Sequence, residues 1–180
     1  MIGGLTSVLT ISGSLRAASS NRNALDALEL LAPSDVRITH YHGLGELPHF
    51  NPDRDTEGMI PPSEVALLRA AVKSADALMI CSPEYAHGVP GSLKNGLDWL
   101  VSDLDLPGKP IGLLNLSPRS THAQESLREI LTTMSTRVIP GASLSVPLSG
   151  RRMSAEAMAA DPALAPILQA ALAALVAAVT

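Results

Sequence analysis

Short apolar blocks alternate along this chain with longer stretches whose apolar residues recur every three or four positions. Ser7 to Ile11 (SVLTI) is β-branched and closed by Ser12-Gly13, which predicts a strand. Leu25, Leu28 and Leu31 then share one face of a helix running from about Asn21 to Leu31, ended by Pro33. Val36 to His40 predicts a second strand, and Tyr41 to Ile60, dense in Gly, Pro, Asn and Asp, a loop. Pro61-Pro62 opens a second helix with Val65, Leu68 and Val72 as its stripe. Ala77 to Cys81 reads as a third strand, and Leu93, Leu97 and Leu100 place a third helix over Gly91 to Val101. Pro110 to Leu116 reads as strand four and Ala123 to Ser135 as helix four. Val138-Ile139 begins an interrupted fifth strand reaching about Val146. Pro147 to Asp161 reads as loop, and Pro162 to Val179 as the last helix.

This alternation, without repeats or a linker, predicts one domain over residues 1–180. Its class is a three-layer α/β fold: a five-stranded parallel sheet, order 2-1-3-4-5, with helices on both faces. Right-handed crossovers bring every strand-to-helix loop to the carboxyl edge. Ligands bind that edge where the strand order reverses, here between strands one and three. The loops that matter are therefore Ser12–Asn21, Ser82–Pro90 and Ser117–His122.

Composition narrows the function. The 180 residues are 46% apolar and 17% charged, with a net charge of −4 and no basic cluster larger than Arg151-Arg152, so nucleic acid is not the expected partner. Met1 to Ile11 lacks the basic start of a signal peptide, and the apolar tail Ile167–Val179 holds Gln169 and is too short for a membrane span. The single cysteine, Cys81, suits a reducing cytoplasm. It reads as a small buried hydrophobe; a phosphatase loop would need arginine six residues later, where His87 stands. His40, His42 and His49 lack an acidic third ligand at fixed spacing, so no metal site is expected.

The first loop, SGSLRAASSNRNAL, carries Ser12, Ser14, Ser19, Ser20, Arg16 and Asn21 just before a helix, and contains neither a Walker motif nor GxGxxG. Helix capping explains one of these serines. The cluster suits a terminal monophosphate, whose oxygens take hydroxyl, guanidinium and helix N-terminal amide donors. The loop after strand three, Ser82–Pro90 (SPEYAHGVP), resists helix and leaves its amides free for a ligand.

These residues resemble a known family. Gly13-Ser14-Leu15-Arg16 with Ser19 and Asn21 is similar to the GSLRxxSxN phosphate loop of the NAD(P)H-dependent FMN reductases, a flavodoxin-like family that includes bacterial quinone and chromate reductases. Pro83-Glu84-Tyr85, Gly88, Pro90-Gly91, Leu93-Lys94-Asn95 and Asp98-Trp99 resemble its PEYNxxxPGxLKNxxDW, and Leu47-Pro48, Phe50-Asn51 and Asp53 its LPxFNxD. The resemblance implies FMN as cofactor and NADPH or NADH as co-substrate. It implies Ser14, Arg16, Ser19, Ser20 and Asn21 at the phosphate. It places Pro83, Glu84, Tyr85, Ala86, His87 and Gly88 beside the flavin, with Ser117 from the loop after strand four. It implies no catalytic side chain, because the flavin carries the chemistry. The acceptor would be a small molecule: a quinone, free flavin, azo dye or metal oxyanion.

Two positions depart from the family pattern. Ala86 replaces an asparagine, and the loop after strand four, Ser117-Pro118-Arg119-Ser120-Thr121-His122-Ala123-Gln124, is shorter and has no glycine. The rival readings are a flavodoxin-type electron carrier and a relative that has lost flavin. Arg16, few aromatics and a mild charge argue against the first. The family habit also implies a homo-oligomer, dimer or tetramer, built partly on the Ser92–Val101 helix with Trp99, Lys94 and Asp98 outside the sheet-facing side.

Overall fold

The computed structural model of the protein describes residues 5–148 and 150–179. Met1 to Gly4, the start of the segment read as lacking a leader, lie outside the described residues, as do Ser149 in the predicted 147–161 loop and Thr180. The elements are β1 (Thr6–Ser12), α1 (Ser20–Leu31), β2 (Val36–Tyr41), α2 (Ser63–Ser74), β3 (Ala77–Cys81), α3 (Gly91–Asp98), β4 (Pro110–Asn115), α4 (Thr121–Thr133), β5 (Arg137–Val138), β6 (Leu144–Ser145), α5 (Ala155–Ala160) and α6 (Ala165–Val176). The strands pair in parallel in the order β2-β1-β3-β4-β5, with β6 also on β4.

The strand period of two sorts side chains onto two cores. Val8, Ala77, Met79, Cys81 and Leu114 join α1, α5 and α6 on one face. Leu9, Ile11, Leu78, Ile80, Ile111 and Leu113 join α2, α3 and α4 on the other. Every residue of β3 is buried, as a central parallel strand requires. Gly112 is obligatory in β4, because a Cβ there would lie 2.8 Å from the Met79 side chain and 2.9 Å from the Ala142 carbonyl oxygen.

Four differences from expectation have local causes. The fifth strand is two fragments on β4, parted by the Pro140–Ala142 turn, where proline has no amide to give the ladder. α5 lies inside the segment read as loop. The Ser154 hydroxyl accepts from Ala157 N at 3.2 Å, and the buried Met158 anchors this single turn and a half. α3 stops at Asp98 rather than Val101, because Arg69 Nε and Nη2 donate to the Trp99 carbonyl at 3.1 and 2.7 Å and take over the helix end. Trp99 itself is fully buried, its indole donating to the Pro48 carbonyl at 2.8 Å and its ring edge against Phe50. It is therefore core and is removed from the expected subunit surface. Lys94 and Asp98 pair with each other along α3.

Candidate functional site

The exits of β1, β3 and β4 meet at one edge of the sheet. Gly13 N donates to the Cys81 carbonyl at 2.9 Å, and a Cβ on Gly13 would lie 2.5 Å from Ser82 Oγ. Only glycine lets the first and third exits approach this closely.

The β1 exit is loosely bonded to itself. Ser14 N donates to Ser12 Oγ at 3.3 Å, and Arg16 N to Ser14 Oγ at 3.4 Å. Ser19 is buried and caps α1, its hydroxyl accepting from Arg22 N. Among the described residues, the amides of Leu15, Ala17, Ala18, Ser20 and Asn21 have no partner in the chain. Asn21 uses its carboxamide oxygen to accept from the Cys81 thiol at 3.3 Å, which leaves its NH2 group free. Burial pushes the Cys81 thiol pKa up, so this sulfur is a structural group and no nucleophile.

The expected phosphate residues are divided between two recesses. Ser14 and Arg16 line one of about 100 Å3, together with Ser12, Arg22, His40 and His42. Ser20 and Asn21 line a second of about 510 Å3, with Ser82, Pro83, Glu84 and Ser117. Ser19 borders neither. In the smaller recess His40 bridges Thr10 Oγ1 (2.6 Å) and Glu29 Oε2 (2.9 Å), and stacks on His42. His42 lies 2.7 Å from an Arg22 nitrogen; burial first, then Arg22 and His40, lower its pKa. Both imidazoles therefore have partners, and among the described residues no three metal-capable side chains converge.

The β3 exit is firmly pinned. Glu84 Oε2 accepts from Ala123 N at 2.8 Å and so closes the first turn of α4. Tyr85 and Gly88 exchange two backbone hydrogen bonds, 3.1 and 2.9 Å, around Ala86 (φ 49°) and His87 (φ 58°). Two positive φ values in succession make this the tight turn that favours Asn and Gly. His87 stacks on His122 of α4 with ring centroids 4.5 Å apart. The tip Tyr85–Gly88 stands clear of both recesses, Tyr85 being exposed, while the amides of Glu84, Ala86 and His87 have no partner among the described residues. At the β4 exit Asn115 holds the loop, accepting from Ser117 N (3.0 Å) and donating to the Ser120 carbonyl (3.2 Å). Arg119, Arg151 and Arg152 border the larger recess.

Residues 6–150 match the family model described as NADPH-dependent FMN reductase. The chain belongs to that family. Over 139 residues it is 33% identical to a quinone reductase of Escherichia coli K12, covering 73% of this chain and 72% of that one. Over 129 residues it is 36% identical to an NAD(P)H-dependent FMN reductase of Pseudomonas aeruginosa, covering 69% and 68% of the two chains. Among solved structures, the flavoenzyme NAD(P)H:(acceptor) oxidoreductase FerB of Paracoccus denitrificans superposes with a TM-score of 0.76 at 29% identity, covering 97% of each chain. The expected sheet order, 2-1-3-4-5, is the observed one.

Two features suit the FMN for which this reductase family is named. A run of unpartnered amides with hydroxyls and a guanidinium at the β1 exit is the donor set a phosphate monoester needs. A hairpin with free amides at the β3 exit offers donors to a planar heterocycle. Sequence reasoning missed Glu84 as the α4 cap, the Arg22–His42 pair and the placement of Arg151 and Arg152. The last had a visible signal, since that doublet is the chain's densest basic pair.

Proposed function

We propose that this chain is an FMN-dependent oxidoreductase that takes hydride from NADPH or NADH and reduces a quinone, with free flavin, an azo dye or a metal oxyanion as further acceptor classes. The observation that carries the reading is the set of idle amides from Leu15 to Asn21 at the strand-order switch, next to Ser14, Ser20 and Arg16. When bound, FMN supplies the redox chemistry, accepting hydride and returning the electrons to the acceptor.

The chain's part is to hold and orient. Ser14 and Arg16 from the smaller recess and Ser20 and Asn21 from the larger would donate to a phosphate seated between the two, and Ser19 would contribute by fixing where α1 begins. Pro83 and Glu84 wall the larger recess. The Tyr85–Gly88 hairpin sets the backbone donors for the ring, and Ser117 lines the other side. No side chain serves as acid or base: Cys81 is buried, Glu84 is committed to α4, and His87 lies on His122. One slot serving nicotinamide and acceptor in turn gives ping-pong kinetics.

The protein is read as a cytoplasmic homo-oligomer, a dimer or tetramer, made of one FMN-binding domain per chain. Among the described residues no helix is long and apolar enough to cross a membrane. Exposed Ile60, Leu67, Val101 and Leu104 supply apolar surface for a second subunit. Sedimentation of an 18.7 kDa monomer at micromolar concentration would reject the oligomer. The absorption spectrum decides the rest: the purified protein should show flavin bands that bleach anaerobically with NADPH. A colourless protein that takes up no added FMN would sink the reading.

A further inference from the structure

Three arginines line a recess that already has donors of its own. Arg119 comes from the β4 exit, and Arg151 and Arg152 from the segment before α5; all line the cavity of about 510 Å3 that also holds Ser20, Asn21 and Ser117. Arg151 is engaged, with Nη1 on Asp161 at 3.0 Å and Nε on the Leu148 carbonyl. Arg119 and Arg152 have no ion pair or side-chain hydrogen bond among the described residues. The one carboxylate in the lining, Glu84, is spent on Ala123 N. In a chain of net charge −4 this is a local excess of positive charge. The Ser117 hydroxyl and the Arg119 amide of the same lining are also without partners among the described residues. Arg151 and Arg152 follow the last residue of the family match.

We propose that Arg119 and Arg152 form a second anion subsite, which binds a phosphate-class group carried by a substrate. The inference rests on the flavin reading, in which the β1 exit serves the phosphate of FMN. Arginine forks suit such groups because two parallel N–H donors match two anionic oxygens. Two substrates carry this chemistry: NADPH through its 2′-phosphate, and an acceptor bearing an acidic group.

The test compares FMN-loaded wild type with the double variant Arg119→Ala/Arg152→Ala. Calorimetric titration uses 2′,5′-ADP and, as its partner without the 2′-phosphate, 5′-AMP; kinetics use NADPH, NADH, and a naphthoquinone with and without a sulfonate. If the nucleotide is the source, the variant binds 2′,5′-ADP at least about tenfold more weakly and its KM for NADPH rises likewise, while 5′-AMP and NADH change less than about twofold. If the acceptor is the source, the loss falls selectively on the sulfonated quinone. Arg119→Lys/Arg152→Lys should recover part of either loss. No selective loss on any anionic probe overturns the proposal. So does release of FMN from the double variant at an unchanged thermal midpoint, because the arginines would then belong to the cofactor. A wild type without FMN would refute the flavin reading separately, since 2′,5′-ADP titration still scores the subsite.

Discussion

From Ser12 to Ser19 the chain bonds little to itself, and a row of its amides has no partner among the described residues. From Glu84 to Gly88 the same edge of the sheet is fastened three ways: a carboxylate on α4, a closed two-residue turn and an imidazole stack. The two exits nevertheless touch, through Gly13 and Ser82. On the proposed reading, the contrast follows from what each exit would meet. A doubly charged phosphate repays the ordering of a loop with several charge-assisted hydrogen bonds, so its donors can be left open until it arrives. A ring held by backbone donors gains less per contact, so its wall must be ordered beforehand.

Removing donors from the open exit should therefore do most harm. Arg16→Ala and Ser14→Ala should each cost about 1.5–3 kcal/mol of FMN binding, roughly tenfold to a hundredfold in Kd, with thermal stability of the apo-protein unchanged. Fluorescence titration of FMN reads the first and a thermal melt the second. Unchanged affinity in both variants would remove the distinction between the exits.

The pinned exit should show the reverse pattern. Glu84→Ala strips the cap from Ala123 N and should cost about 1–2 kcal/mol of folding stability in urea unfolding. Were Glu84 chiefly a flavin contact, FMN affinity would fall while stability held. A smaller effect of opposite sign is expected one turn away. Ala86 sits at φ 49°, a region that costs a residue with a Cβ about 1–2 kcal/mol. Ala86→Asn and Ala86→Gly should relieve part of this and gain about 0.5–1 kcal/mol net of unfolded-state entropy, raising Tm by about 1–4 °C. A loss of Tm in both would mean that the turn is not strained.

How much of this could be read from the chain depended on the range of the forces involved. β1, β3, α1 and α2 were plain because their periodicity reports burial residue by residue, and β3 matches its expected bounds, Ala77–Cys81. α5 hid because Ala-rich turns carry little pattern; its evidence is Met158 reaching the α1 and α6 core, a contact made in space. The motif loops were placed on the correct edge. Capping accounted for one serine of the first loop, and the structure makes it Ser19; the motif did not show that Glu84 would hold the Ala123 amide or that the Trp99 indole would reach the Pro48 carbonyl. Both of these partners lie remote in sequence, Ala123 for the Glu84 carboxylate and Pro48 for the Trp99 indole.

The smallest effect expected is at His87, the residue of the pinned exit that most resembles a general acid or base. Its ring lies nearly parallel to His122, 18° between planes, and it borders neither recess. A proton-transfer role needs a substrate atom within hydrogen-bond reach and a partner that orients the ring; the stack supplies an apolar contact and no such partner. Cys81, the other reactive side-chain type nearby, is fully buried with its thiol bonded to Asn21. His87→Ala and Cys81→Ala should therefore keep FMN and slow NADPH oxidation by less than about tenfold, under roughly 1.4 kcal/mol of barrier. Stopped-flow bleaching of the flavin measures that step directly. A thousandfold loss in His87→Ala with FMN still bound would make the hairpin part of the chemistry, and the contrast between an exit that binds and an exit that only orients would fail.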